Sequence, residues 1–216
     1  MKSVLLIGLG RFGRHTAMKL SDLNCETMAV DLDEECVNGV LPFVTNAQIG
    51  DSTNEEFLYS LGISNYDVCI VAIGDNFQTS LETASLLKDF GAKKVIARAS
   101  TGVQEKFLLR NGADEVVYPE KEMAIRSAVK YSSDNVFDYI ELTGDYSIYE
   151  TPIPNAWIGK TIVDLGVRTR YHINIMALRR GSELLPLPRP DHIFRGDETM
   201  LILGANKDLT KFMQRR

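Results

Sequence analysis

Val4-Leu-Leu-Ile-Gly-Leu-Gly-Arg-Phe-Gly13 decides the fold of this chain. Val4 to Ile7 is an unbroken apolar run, the pattern of a strand buried on both faces. Gly8, Gly10 and Gly13 follow at the spacing G-x-G-x-x-G. Gly8 permits a tight bend out of the strand, Gly10 lets the backbone approach a pyrophosphate, and Gly13 lets the next helix pack close to the sheet. A phosphate then sits on that helix's N-terminus, where unpaired N–H groups and the positive end of the dipole favour an anion. The context is the one a dinucleotide fold needs. A helical pattern follows (Phe12, Thr16, Ala17, Leu20, Leu23), and a second strand, Thr27 to Val30, closes on Asp31. An acidic residue about 20 positions beyond the glycines is placed to grip a ribose hydroxyl.

Strands and helices go on alternating. A short helix runs from Asp33 to Val40, and a third strand ends at Gly50-Asp51-Ser52-Thr53, with Thr53 and Glu56 reading as a capping box for the next helix. The fourth strand, Val68 to Ile73, ends at Gly74-Asp75-Asn76, and the fifth, Lys94 to Ala97, at Arg98. Asn111-Gly112 terminates a helix before a sixth strand, Glu115 to Tyr118, and Pro119 opens a helix to about Tyr131. This order predicts right-handed crossovers and a Rossmann-like, doubly wound parallel α/β sheet over residues 1–132. Ligands of such sheets bind outside the carboxyl ends of the strands, which gathers Asp31, Asp51, Gly74 and Arg98 around the glycine turn.

The composition changes after Ser132-Ser133-Asp134. Residues 133–148 read as a linker or crossover whose Val136 to Leu142 alternates apolar and acidic residues, the sign of a half-exposed strand or bridging segment, and 149–216 as a small α+β domain. Within it the pattern gives a helix from Thr161 to about Arg168, a strand from Asn174 to Leu178, a proline-rich loop from Pro186 to Pro190 and a last strand from Thr199 to Leu203. So small a core suggests packing against a second copy.

With 44% hydrophobic residues the chain is of globular composition, and a net charge of -5 argues against nucleic acid as a partner, the basic pair Arg215-Arg216 notwithstanding. No apolar stretch approaches the roughly 18 residues of a membrane helix, and Met1-Lys-Ser leads into a strand rather than a signal sequence, so a soluble cytoplasmic protein is expected. Cys25, Cys36 and Cys69 have no disulfide or metal spacing and read as core or helix residues, while His15, His172 and His192 lack ligand partners.

Gly8-Leu-Gly-Arg-Phe-Gly13, Ala29-Val-Asp31, Gly50-Asp51, Val71-Ala-Ile-Gly74, Gly112-Ala-Asp114, Pro119-Glu-Lys-Glu122 and the small C-terminal module together resemble the cytosolic regulators of bacterial potassium uptake of the Trk and Ktr type, whose domains are regulators of potassium conductance. The likeness extends over nearly the whole chain. It implies a site for ATP, ADP or NAD(H), dimers assembled as an octameric ring, and a membrane potassium-translocating partner at the inner face of the membrane. Within that site Gly8, Gly10, Phe12 and Gly13 form the turn and Ala72, Ile73 and Gly74 the facing strand end. Arg11 would reach a terminal phosphate, Asp31 the ribose, and Asp51 and Ser52 the neighbourhood of the adenine. Arg98 faces the crevice for a phosphate or for a surface ion pair. Glu120 matches a carboxylate that shares a divalent or monovalent cation between subunits, although a glutamate in a first helical turn also suits the dipole. Helix capping is the other reading of Asp31, Asp51 and Ser52.

In Ktr-like relatives the C-terminal module can bind cyclic di-AMP, and the matching segment is Val167 to Asn174. By that likeness Arg168 would meet a phosphate and Asn174 an adenine edge or phosphate, beside Tyr171, with Ile162, Val167 and Pro190 walling the bases. His172 stands where a glycine often precedes Ile-Asn. The alternative is a dimer clamp in which Arg168 ends a helix and Asn174 satisfies a turn.

An NAD-dependent oxidoreductase shares the first domain, but hydride transfer also needs a substrate pocket and a group to move the proton, and no Tyr-x-x-x-Lys pair occurs. A redox-sensing transcription factor would need a basic recognition module, which an acidic chain does not supply. The expected role is therefore gating and not catalysis.

Overall fold

The computed structural model describes residues 1–132 and 135–214. Ser133 and Asp134 of the composition break and the terminal pair Arg215-Arg216 lie outside the described residues. The chain folds as two compact units, Met1–Glu120 and Lys121–Arg216.

In the first unit the strands β1 (Ser3–Ile7), β2 (Glu26–Asp31), β3 (Asn46–Ile49), β4 (Val68–Val71), β5 (Val95–Arg98) and β6 (Glu115–Val117) form one parallel sheet in the order β3-β2-β1-β4-β5-β6. The helices α1 (Arg11–Asp22), α2 (Glu34–Val40), α3 (Glu55–Ser60), α4 (Phe77–Asp89) and α5 (Gly102–Arg110) connect them. Alternation along β1 distributes these helices over two faces. Leu5 and Ile7 belong to a core with Leu58, Leu87 and Leu108 of α3, α4 and α5, whereas Leu6 packs with Ala17, Val37 and Val40 of α1 and α2. That two-sided burial is why β1 carries no polar residue from Val4 to Ile7. This is the doubly wound sheet expected from the sequence.

One helix start differs from the expected one. The sequence places the cap of α3 at Thr53 with Glu56, but Asn54 is the cap and accepts from the Phe57 amide at 3.0 Å. The cause is Asp51, whose Oδ1 takes both the Thr53 amide, at 2.8 Å, and its hydroxyl, at 2.7 Å. Thr53 is thereby spent in the turn, and the helix begins one residue later.

In the second unit β7 (Asp138–Thr143), β8 (Tyr146–Pro152), β9 (Ile173–Arg180), β10 (Glu183–Pro186) and β11 (Thr199–Ala205) form an antiparallel sheet in the order β10-β9-β11-β8-β7. α7 (Ile162–Leu165), α8 (Val167–Tyr171) and α9 (Asn206–Gln214) accompany it. Trp157 organises the core, with ring centroids 5.3 Å from Tyr171, 5.7 Å from Phe194 and 5.4 Å from Phe212. The helix expected from Thr161 to Arg168 is two short ones, because Gly166 adopts φ +55 and breaks the ladder. The stretch read as a linker or crossover supplies β7, the half-exposed strand its alternation allowed, and the start of β8, while β10 has no counterpart in the sequence pattern.

α6 (Pro119–Tyr131) starts in the first unit and continues into the second. None of its residues is fully buried. Its Arg126 grips Asp138 of β7 with two hydrogen bonds, of 3.0 and 2.7 Å, which explains why the division falls after Glu120 and not after α6.

Candidate functional site

The carboxyl ends of β1, β2 and β4 open onto a crevice of about 670 Å³. Its floor is the glycine turn. Gly8 bends the chain at φ +92 while its amide donates to the Val30 carbonyl at 2.8 Å. A side chain on Gly13 would put its Cβ 1.9 Å from the Gly8 carbonyl oxygen, so α1 lies against the turn as closely as only glycine allows. At Gly10 a Cβ would meet nothing within 4 Å, and Gly10 lines the crevice. Space is open there for a ligand.

α1 begins at Gly10 without a side-chain cap and with no acidic residue in its first turn. Its first N–H groups therefore have no protein acceptor and face the position where an anion would be stabilised. Arg11, exposed, adds a cation to this end and makes no hydrogen bond or ion pair among the described residues. Asp31 lines the opposite side, where its Oδ2 accepts from Leu9 at 2.5 Å and its Oδ1 from the Asp33 amide at 2.9 Å. The carboxylate is thus oriented by the turn it faces.

Ala72, Ile73 and Gly74 form the wall at the end of β4. The guanidinium of Arg98 lies so close to Gly74 that a Cβ there would sit 2.1 Å from Nη1. Arg98 stands 5.8 Å from the centroid of the Phe12 ring and pairs with the Glu120 carboxylate. Its Nε is buried without a hydrogen-bond partner. Glu120 is held below the usual carboxylate range by its own backbone amide, then by Arg98 and Arg11, against a partial desolvation that raises it.

Not every expected residue reaches the crevice. Ser52 lines it and is buried, its hydroxyl 2.8 Å from that of Thr83. Asp51 does not line it, because its carboxylate closes the turn onto Thr53, which also holds it below its ordinary pKa. Gly13 acts from behind, through packing alone. No group of three or more His, Cys, Asp or Glu side chains able to hold a metal ion occurs among the described residues of the single chain, in which Glu120 pairs with Arg98.

The second unit contains a cleft of about 610 Å³ lined by Ile162, Val167, Arg168, Asn174, Ile175 and Pro190, among others. Arg168 Nη2 donates to Asn174 Oδ1 at 2.9 Å, so the two polar groups expected to act together do touch. Tyr171 is not part of this cleft. Its ring packs into the aromatic core, 5.3 Å from Trp157 and 5.5 Å from Phe212. His172 does not line the cleft but an adjoining groove, which shares Arg168, Ile173 and Asn174 with it.

Residues 4–119 match the TrkA-N domain and residues 147–215 the TrkA-C domain. The chain belongs to this family. It is 39% identical over 214 residues to the Ktr system potassium uptake protein C of Bacillus subtilis (strain 168), covering 99% of this chain and 97% of that one. With the Ktr system potassium uptake protein A of the same organism the identity is 37% over 211 residues, 98% and 95% of the two chains. Among solved structures the GsuK channel superposes with a TM-score of 0.71 at 18% identity, over 97% of this chain and 38% of that one. At such identity the likeness is one of fold, and this chain spans well under half of the GsuK chain.

Several lining residues of the TrkA-N crevice escape motif reading. Leu32, Asp33, Cys36 and Thr79 line it, as do Gly50, Asp75 and Asn76, which stand in strand-end motifs of the sequence without a role assigned to them there. Asn76 could have been found as the cap of α4, where it accepts from Thr79 at 3.2 Å. Cys36 has no such signal. It sits in the first turn of α2, its thiol pushed up in pKa by burial and then by Asp31 and Asp33, and it presents an uncharged surface. In the TrkA-C cleft the added residues are Val163, Gly166, Thr169, Ile173, Ile175, Leu187 and Pro188.

Proposed function

We propose that this chain is the cytosolic, nucleotide-sensing subunit of a Ktr-type potassium uptake system and gates a membrane potassium-translocating partner. The observation that carries this reading is the uncapped N-terminus of α1 behind the glycine turn, facing Asp31 across the crevice, in a chain alike over almost its full length to two Ktr proteins. The ligand is an adenine nucleotide, ATP, ADP or NAD(H): its diphosphate lies on the first turn of α1, its ribose against Asp31, and its base toward Gly50 and Ser52. The GsuK channel of similar fold has been solved bound to NAD and, separately, to ADP.

The ligand acts by binding two conformations of a homo-oligomer unequally, so its effect is a shift of population and not a turnover. Dimers assembled into a ring at the inner face of the membrane would transmit that shift, with a cation shared between subunits near Glu120. The cleft beside Arg168 and Asn174 is a second regulatory site, of a size and polarity suited to cyclic di-AMP.

Calorimetric titration of the purified protein with ATP, ADP, NADH and NAD, with scattering recorded in each state, tests the proposal. Saturable binding with a ligand-dependent particle shape and no hydrolysis or hydride transfer is expected. Absence of binding by all four, or steady turnover at enzyme-like rates, overturns it.

A further inference from the structure

Two arginines, Arg11 and Arg98, line the crevice together with four carboxylates, Asp31, Asp33, Asp75 and Glu120. A nucleotide diphosphate entering this excess of negative charge needs its cations free. Asp31 is committed to the Leu9 and Asp33 amides, and Asp33 caps α2 through the Glu35 amide. Glu120 differs, since it engages Arg98 directly and also lies in the field of Arg11, the two cations a phosphate would use.

The two members of this pair are not equally fixed. Only 18% of the Arg98 side chain is exposed, and it is wedged between Gly74 and the Phe12 ring. The Glu120 side chain is 55% exposed and can turn into water. A competing anion would therefore displace the glutamate and leave the arginine in place, because the desolvation of Arg98 is already largely complete and that of Glu120 is not.

We propose that Glu120 is a specificity-determining placeholder: its carboxylate occupies the anion position on Arg98 that a ligand phosphate must take. This rests on the nucleotide-binding reading above. Glu120 thereby sets a threshold that ligands without phosphate never have to meet and phosphorylated ones must overcome. Glu120 is also the second residue of α6, the helix that continues into the second unit, so phosphate binding leaves its carboxylate unpaired in the first turn of that helix.

Titration of the full chain with ADP and with adenosine, in EDTA so that no divalent cation takes part, tests the assignment. Glu120→Gln and Glu120→Ala should each bind ADP about 2- to 5-fold more tightly than the wild type while adenosine affinity stays the same, the fold-change of an ion-pair competitor removed. In an Arg98→Gln background the same Glu120 substitutions should give no gain. Equal or weaker ADP binding by both Glu120 variants with adenosine affinity intact overturns the placeholder and leaves the nucleotide site standing. A gain that persists in the Arg98→Gln background also overturns it, as general repulsion. Failure of the wild type and every variant to bind either ligand overturns both readings together.

Discussion

The amide of Leu9 donates to Oδ2 of Asp31 at 2.5 Å, tying the glycine turn to the end of the neighbouring strand. Asp31 therefore has two tasks, bracing the turn and, in the proposed complex, binding ribose. Asp31→Ala should weaken adenine-nucleotide affinity by about 1–3 kcal/mol and also lower unfolding stability, since a backbone donor loses its acceptor. Asp31→Asn keeps an oxygen for Leu9 but none for the Asp33 amide, and should recover part of the stability and not all of the affinity. Calorimetry and urea unfolding on the same samples separate the two effects; unchanged affinity in Asp31→Ala refutes the ribose assignment.

Gly13 makes a prediction about architecture alone. An alanine Cβ there would lie 1.9 Å from the Gly8 carbonyl oxygen, an atom fixed in the backbone. Gly13→Ala should cost about 3 kcal/mol, at the upper end of overpacking penalties. Gly10→Ala meets no atom within 4 Å and should unfold like the wild type while hindering nucleotide binding. Denaturant midpoints that rank the two variants the other way would contradict the described turn.

Arg11 lies at the open end of α1 with no ion pair among the described residues, so removing it disturbs no internal contact. Arg11→Ala should weaken ATP by about 10-fold through the loss of a charge-assisted hydrogen bond, and NADH by less, because NADH has no terminal phosphate. Equal losses for both ligands would assign Arg11 to the diphosphate instead.

The parts of the site legible in the sequence are those whose chemistry is local. Gly8, Gly10 and Gly13 announce a turn whose spacing dictates its geometry, and Asp31 follows from the length of one helix and one strand. Asp51 is ambiguous in the sequence because the same residue type serves a ligand or an Asx turn, and only the fold shows its contacts with Thr53. Tyr171 misleads for a different reason: the break at Gly166 sets the phase of α8, and the phase determines whether the ring meets the cleft or Trp157. The pairing of Arg98 with Glu120 spans 22 positions and depends on strand order, which no local pattern encodes. β10 escapes for a similar reason, as a short strand whose partner supplies the regularity, whereas the alternation over Val136 to Leu142 does mark β7.

Acid should loosen the second unit first at β7. Asp138 is held below the ordinary carboxylate range chiefly by the hydrogen bond from Arg126, with the Tyr139 amide and the charge of Arg126 adding to it against partial desolvation. A carboxylate depressed in the folded state contributes stability that is complete above its unfolded pKa, near 4, and lost as pH falls through the lower folded value. Because the pair is partly exposed, the contribution is small, about 0.5 kcal/mol. Asp138→Asn should be less stable than the wild type by that amount at pH 7, and the difference should vanish in the acid limb. A gap that widens on acidification would reverse the assigned sign.

The TrkA-C cleft gives the last prediction. Arg168 and Asn174 meet at 2.9 Å on its wall, between the apolar surfaces of Ile162, Val167 and Pro190. This places one cation and one amide beside faces on which a purine could lie, the arrangement a phosphate-bridged dinucleotide requires. If cyclic di-AMP occupies the cleft, Arg168→Ala should lower its affinity by about 2 kcal/mol, the value of a charge-assisted hydrogen bond with its partner left unpaired. Asn174→Ala should cost less, and Tyr171→Phe nothing, since that ring packs against Trp157 and Phe212 outside the cleft. Titration of the full chain and these variants with cyclic di-AMP decides the matter. No saturable binding at tens of micromolar, or a loss in Tyr171→Phe equal to that in Arg168→Ala, would mean that Arg168 and Asn174 serve only to fasten α8 to β9.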